Sequence, residues 1–173
     1  MVPYIPWIER TFRFDSPVRQ FPNIVERLRG TPARLEDRLA RLPRATLIAR
    51  PNGKWSLQEH AGHLTDLSTL DSARLDDFAA GRGILTAADM SNRRTVEAHH
   101  NDRSIEDVLA DFRRERTAFV RRLDALDEAF VQRTAIHPRL GVPMRVVDWI
   151  LFAAEHDDHH MTVIAAMLHG WGR

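Results

Sequence analysis

The chain has no cysteine and only one lysine, Lys54. Without cysteine it forms no disulfide, offers no thiolate nucleophile and holds no metal through thiolate ligands. Any metal site must therefore be built from histidine and carboxylate side chains. Arginine supplies almost all of the positive charge, and a pocket lined by arginine could serve the carboxylates of a substrate.

Long apolar runs and a strong charge imbalance are also absent. No segment approaches the ~18 consecutive apolar residues of a membrane span, and residues 1–10 lack the basic and apolar regions of a signal peptide. The 25 basic and 24 acidic residues leave a net charge of +1, which indicates neither a nucleic-acid nor an anionic-membrane partner. These absences predict a cytoplasmic protein without nucleic-acid or membrane partners.

The length of the chain, 173 residues, predicts one domain that spans residues 1–173. Residues 1–21 contain three prolines, which discourage a long helix, and should form an irregular N-terminal arm. We expect the aromatic side chains of this arm to pack against the surface of the domain: Trp7, Phe12 and Phe14.

Apolar residues recur at helical spacing in four segments, and no strand is convincing. These segments cover residues 22–42, 56–80, 104–130 and 144–168. A capping box of Ser56 and Glu59 should begin the second, and Gly30–Pro32 should break or kink the first. Residues 82–103 form a long polar connection, and residues 131–144 a loop. The pattern predicts an all-α four-helix bundle with a long crossover between helices 2 and 3.

The last segment contains the pattern His156-x-x-x-His160. On an α-helix these two residues share one face, and here that face is the apolar stripe that should look into the core. Two imidazoles at this spacing can bind one metal ion together. The alternative is a pair of core histidines satisfied by hydrogen bonds, and the spacing alone does not decide between them. His159 points elsewhere and is expected at a solvated helix edge.

A third histidine, His63, lies two turns into the second helix, near the edge of its apolar face. If helices 2 and 4 are antiparallel, its height along the bundle matches that of His160 to within a turn. His63, His156 and His160 would then form a site for Zn²⁺, Ni²⁺, Cu²⁺ or Fe²⁺ with at least one open position. The outer ring nitrogens need acceptors, and the candidates are carboxylates close in sequence: Glu59, Asp66, Glu155 and Asp157.

Other polar residues are interpreted more simply. His63 taken alone would be a helix-surface histidine, and His60 lies at the edge of the same arc. His99 and His100 lie in the polar connection, where solvated loop histidines are the simplest interpretation. The arginines of the third helix are expected to form a solvated face.

Two motifs resemble those of the DinB/YfiT-like superfamily. The first is Trp55-Ser56-x-x-Glu59-x-x-Gly62-His63-Leu64-x-Asp66, and the second is His156-Asp157-Asp158-His159-His160. Residues 101–104 and 137–144 are similar to a common subgroup, so the resemblance covers roughly residues 20–170. It implies a four-helix bundle of up-down-down-up topology, often dimeric, with a divalent metal held by three histidines. These map onto His63, His156 and His160.

The resemblance implies a metal-dependent hydrolase, or a transferase that uses a low-molecular-weight thiol such as bacillithiol or mycothiol. The metal would lower the pKa of a bound water or thiol, and the thiol would belong to a small-molecule cosubstrate because the chain has no cysteine. No catalytic acid or base is assigned. Two alternatives remain: a non-catalytic dimeric metal-binding or stress-response module, and a plain bundle without metal. A second apolar line on the last helix, from Leu151 to Leu168, favours a homodimer.

Overall fold

The computed structural model describes residues 3–170 of the chain. Met1 and Val2, the first residues of the predicted arm, lie outside the described residues. The α-helices are α1 (Phe21–Leu39), α2 (Arg44–Leu47), α3 (Leu57–Asp66), α4 (Ser68–Ala79), α5 (Arg93–Glu97), α6 (Ile105–Asp124), α7 (Glu128–Val131) and α8 (Val146–Leu168). The strands are β1 (Thr134–His137) and β2 (Val142–Arg145), and short 3₁₀ turns lie at Trp7–Glu9, Val18–Gln20, Pro51–Gly53 and His100–Asp102. None of the helices within residues 3–170 is both long enough and apolar enough to cross a membrane.

Four long helical units build the body of the protein: α1, α3 followed by α4, α6 and α8. Helix α1 packs against α6 and α8, and α3 packs against the same two helices. The amphipathic segments therefore share one core, and the prediction of a mainly helical fold is confirmed. The single-domain organisation, the up-down-down-up order and the crossover between helices 2 and 3 stay predictions.

The apolar core consists of two clusters that follow each other along α8. One surrounds Trp149 and includes Phe78, and the other surrounds Ile164 and includes Phe112. Between them, residues 155–160 of α8 add no buried apolar side chain to either cluster. Buried polar side chains gather at this level instead: His63, Asp71, Arg116, Asp157 and His160. Burying such groups costs free energy unless they are paired, and a perturbed polar layer of this kind indicates a functional site.

Helix α1 runs without interruption through Pro32, so the predicted break at Gly30–Pro32 is wrong. Pro32 is buried in the same stripe as Leu28 and Leu35, and packing of that stripe against α6 and α8 holds both halves of the helix in place. Pro32 has no N–H to donate to the carbonyl of Leu28, and tertiary packing of this stripe offsets that local cost.

The second predicted helix begins where the capping box placed its start. Ser56 Oγ accepts from the backbone N–H of Glu59 at 3.1 Å, and the Glu59 carboxylate accepts from the backbone N–H of Ser56 at 2.8 Å. The helix is divided at Leu67 into α3 and α4, although Leu67 keeps right-handed helical dihedrals. The capping box fixes the rotation of α3 and therefore the direction of His63, which lies seven residues after Ser56.

A β-hairpin replaces the loop that was predicted for residues 131–144, so the expectation that the chain forms no strand is wrong, although the fold is mainly helical. The antiparallel pairing places Ile136 opposite Pro143. Proline has no N–H to donate, and Ile136 directs its own N–H and C=O to Gly83 and Leu85 of the long connection instead. Gly141 closes the turn with φ +66°, which glycine adopts without strain. Strands of four residues are too short for their alternation to be distinguished from a loop.

The long connection between α4 and α6 contains more structure than its polar sequence suggests. It forms the short helix α5 and the 3₁₀ turn His100–Asp102, and Ile84 forms a parallel bridge with Ile136 of the hairpin. Thr95 and His100 are buried at 3% exposure each, so the prediction that His100 is a solvated loop residue is wrong. The connection therefore forms part of the wall around the polar layer.

Most side chains of the second apolar line of α8 pack into the core of the same chain. Ala154 and Met161 are buried in the two core clusters, and Leu151 and Leu168 are half-buried against them. This line therefore does not by itself provide a free surface, and the homodimer stays a prediction.

Gly62 offers a test of how tightly the connection packs on α3. A Cβ at Gly62 would overlap the buried ring of His100, whereas a Cβ at Gly30 in α1 would meet nothing within 4 Å. Gly62→Ala should therefore destabilise the fold by about 1–3 kcal/mol through overpacking. Gly30→Ala is the control and should be neutral or stabilising by up to about 1 kcal/mol. Urea unfolding measures both, and equal stability of the two variants would contradict this packing.

Candidate metal centre

Three histidines that are far apart in the sequence meet in the polar layer. His63 comes from α3, and His156 and His160 come from successive turns of α8. One ligand atom of each lies within 4.8 Å of the ligand atoms of the other two. The ring centroids are 4.6 Å apart for His156 and His160, 4.8 Å for His63 and His160, and 5.6 Å for His63 and His156. The structure thus brings together the residues that the sequence proposed as ligands.

Hydrogen bonds fix the outer nitrogen of two of these rings. His63 Nδ1 lies 2.9 Å from Thr95 Oγ1, and His160 Nδ1 lies 2.9 Å from His60 Nδ1. Both contacts use Nδ1, which leaves Nε2 as the atom that can face a metal. The residues that orient the rings are therefore Thr95 and His60. The sequence did not predict this role for either residue, because Thr95 lies in the irregular connection and His60 lies at the edge of the helical arc.

The four carboxylates proposed as partners of the rings have other roles. Glu59 pairs with Arg50, Glu155 with Arg10 and Arg27, and Asp157 with Arg116. Asp66 acts indirectly, because it interacts electrostatically with His63 and lies near Thr95, which contacts the His63 ring. His100 Nε2 lies 2.9 Å from Asp66 Oδ2 at the far end of this chain of contacts. A relay of Thr95, Asp66 and His100 therefore supports His63.

Burial keeps the clustered imidazoles uncharged. It lowers the pKa of His63 to about 4, although Asp66 acts in the opposite direction. It also lowers the pKa of His60 to about 4, and together with the neighbouring rings it holds the pKa values of His156 and His160 well below the usual range. The rings are therefore neutral at pH 7, the state in which imidazole binds a metal.

The chemistry of this donor set fits a divalent transition metal. Three neutral imidazoles without thiolate suit Zn²⁺, Ni²⁺ or Fe²⁺, whereas Mg²⁺ and Ca²⁺ prefer oxygen ligands. Three protein ligands also match the open type of site, which leaves a position for water or substrate. The arrangement meets this requirement because the three rings line a cavity of about 570 Å³.

The cavity beside the three rings is closed partly by aromatic side chains. Trp55 packs 4.8 Å from His63, and Trp7 of the arm packs 4.9 Å from both His156 and Phe152, measured between ring centroids. Phe12 and Phe14 pack against the same apolar cluster, so the expected docking of the arm on the bundle is confirmed. His159 packs against Trp7 and Tyr4 and is half-buried. The arm therefore forms one wall of the cavity.

A buried ion pair forms the floor of the cavity. Arg116 Nη2 donates to Asp157 Oδ1 at 2.9 Å, and Arg116 Nη1 lies 3.7 Å from Asp71 Oδ2. The side chains of Arg116 and Asp157 are each only 3% exposed. The expectation that the arginines of the third helix form a solvated face is therefore wrong for Arg116. Burial raises the pKa of Asp157 to about 6, against the opposing effect of Arg116.

The contact between Thr95 and His63 predicts a measurable change in metal affinity. Thr95→Val removes the hydroxyl while keeping the shape of the side chain, so the His63 ring loses its orienting partner. We expect affinity for Zn²⁺ to fall about 10–100-fold in competition with a chromogenic chelator. Thr162→Val is the control, because Thr162 is exposed on α8 and its hydroxyl donates to the carbonyl of Asp158 in its own helix. Equal affinity of the two variants would contradict the orienting role of Thr95.

Comparisons with known proteins show the fold and the family of the chain. The structure is similar to that of YfiT from Bacillus subtilis, described as "a probable metal-dependent hydrolase with an unusual four-helix bundle topology". The TM-score is 0.80, with 16% sequence identity over 94% of each chain, so the likeness concerns the fold. No curated protein sequence matches the chain. The sequence profile of the DinB superfamily matches residues 27–164, well over half of the chain. The chain therefore belongs to the DinB superfamily.

Proposed function

We propose that the protein is a metal-dependent enzyme, either a hydrolase or a thiol S-transferase, in which His63, His156 and His160 hold a divalent cation. The observation that carries this proposal is the convergence of the three rings, with Nδ1 of His63 and His160 already engaged elsewhere. A divalent cation with an open position lowers the pKa of a water or thiol bound to it and stabilises the resulting anion.

The residues around the rings would bind and orient the substrate. Trp7, Trp55 and Phe152 form apolar walls that limit the access of water to the cavity. Thr95 and His60 hold the His63 and His160 rings, so that these ligands need no reorganisation when substrate binds. If the nucleophile is a thiol, it belongs to a low-molecular-weight cosubstrate, because the chain has no cysteine.

The cavity favours an enzyme over the alternative of a non-catalytic metal-binding or stress-response module. A volume of about 570 Å³ falls within the ~300–1,000 Å³ of small-molecule sites, and a purely structural metal would need no such space. The proposed partner is therefore a small molecule.

Three further proposals rest on the sequence and on the family. They are a cytoplasmic location, a homodimer and the up-down-down-up order of the helices.

The activity can be tested by removing and restoring the metal. Metal-loaded protein should turn over at least one member of a panel of esters, amides and pairs of a thiol with an electrophile. Chelation should abolish this turnover, and adding Zn²⁺, Ni²⁺ or Fe²⁺ back should restore it. If chelation only lowers the melting temperature and nothing in the panel reacts, the non-catalytic module is favoured instead.

A further inference from the structure

One buried donor in the cavity is not used by the three-histidine cluster. His137, the last residue of β1, is 2% exposed and lines the cavity. Its Nδ1 accepts from the backbone N–H of Leu140 at 3.3 Å, so the ring proton is on Nε2. Within the described residues, Nε2 has no hydrogen-bond partner. An unpaired buried donor costs about 1–3 kcal/mol, and such a group in a cavity indicates a missing acceptor.

Two guanidinium groups lie beside this donor. Arg74 is 5% exposed and uses its Nε to donate to the carbonyl of Thr86 at 2.9 Å. Arg139 follows His137 in the hairpin turn, is exposed, and holds its guanidinium 5.9 Å from the ring centroid of Phe152. Burial, together with the charges of both arginines, lowers the pKa of His137 to about 4. The neutral N–H of His137 therefore lies in a locally positive field.

Two of the three acidic residues of the cavity are engaged away from His137. Asp157 pairs with Arg116 on the floor, and Asp89 lies at the exposed rim, where it accepts from the backbone N–H groups of Ser91 and Arg93. The third, Asp71, lies between Arg116 and Arg74 and attracts both. The charges that act on His137 itself are those of Arg74 and Arg139.

We propose that Arg74, His137 and Arg139 form a subsite that binds a carboxylate of the substrate or cosubstrate. This inference rests on the proposed function, because it assigns the other end of the same molecule to the three histidines. His137 packs against Phe152 at 5.2 Å between ring centroids, and Phe152 is one helical turn from His156, or ~6 Å along α8. A small organic acid is long enough to reach from one group to the other.

A carboxylate fits this wall better than a neutral acceptor. A planar guanidinium such as that of Arg139 donates two parallel hydrogen bonds to the two oxygens of a carboxylate. The N–H of His137 supplies a further donor without adding charge. The hairpin places the His137-Pro138-Arg139 sequence at the cavity, so that one buried donor and one exposed guanidinium line it together.

The subsite can be tested by calorimetric titration of the full-length protein with glutarate, glutaramide and inorganic phosphate at low ionic strength. Arg139→Gln removes the exposed guanidinium of the subsite, and Arg121→Gln is the control because Arg121 is exposed on α6 and does not line the cavity. Glutarate should bind the wild type and Arg121→Gln equally and bind Arg139→Gln about tenfold more weakly. Glutaramide should bind all three proteins weakly and equally.

The metal content of the same samples is measured in parallel, so that a failure of the carboxylate subsite can be distinguished from a failure of the proposed metal-dependent function. Stoichiometric metal with equal glutarate affinity in both variants overturns the subsite and leaves the proposed function. A protein without metal in which Arg139→Gln still weakens glutarate supports the subsite and contradicts the proposed function. Tighter binding of phosphate than of glutarate overturns the assignment to a carboxylate.

Discussion

Replacing His63 with alanine should reduce bound metal from about one ion per chain to a small fraction of that. His63 is the only ligand that α3 contributes, and His156 and His160 alone on one helix form a weak two-ligand site. Loss of the orienting partner of a ligand already costs 10–100-fold in affinity, so loss of the ligand itself should cost at least ~100-fold. Elemental analysis of protein purified without a histidine tag measures the stoichiometry.

The matched control is His99→Asn. His99 is exposed in the connection and has φ +48°, a conformation that asparagine tolerates. This variant should keep its metal, and circular dichroism should show that both variants fold. Metal that persists at full stoichiometry in a folded His63→Ala variant would remove His63 from the site.

Replacing Arg116 with methionine should produce the largest loss of stability, about 3–5 kcal/mol in the free energy of unfolding. The change leaves Asp157 and Asp71 buried without their cation, and breaking one side of a buried ion pair is costly for this reason. Burial raises the pKa of Asp157 to about 6 even with Arg116 beside it, and removing Arg116 takes away an effect that lowers this pKa. The folded variant therefore holds the Asp157 proton to a higher pH than the unfolded chain does, so protonation relieves part of the cost at low pH. The stability of the variant should fall as the pH rises from the ordinary pKa of an aspartate to beyond 6.

Arg113→Met provides the comparison on the same helix. Arg113 pairs with Glu36 on the surface, with side chains 50% and 33% exposed, so its loss should cost only about 0–1 kcal/mol. Urea unfolding at pH 5.5 and pH 8 measures both variants. Similar losses for Arg113→Met and Arg116→Met would show that the Arg116 pair is not buried in solution.

The sequence predicted features that depend on local pattern. Helix periodicity and the capping box at Ser56 set the start and the facing of α3, and the i, i+4 spacing set His156 and His160 on one side of α8. At these positions the local sequence pattern and the tertiary structure favour the same conformation, so the pattern alone was sufficient to predict it. The convergence of His63 with the other two required only an assumed antiparallel neighbour.

Other features depend on partners that no local pattern reveals. Pro32 remains in α1 because the buried stripe around it packs on two other helices. Arg116 is buried because Asp157, 41 residues later, accepts its hydrogen bond. Thr95 and His137 come from segments that were assigned as irregular, and only the packing of the connection and the hairpin brings them to the cavity. Such residues could not be separated from solvated loop and surface residues without the tertiary fold.

A shared cation between three side chains from two helices is directly visible by anomalous scattering. Crystals of the untagged protein should be measured on both sides of the absorption edge of the metal found by elemental analysis. We expect a single anomalous peak at about 2.0–2.1 Å from Nε2 of His63, His156 and His160 if the metal is zinc. A peak elsewhere, or three rings joined by hydrogen bonds with no anomalous signal between them, would contradict it.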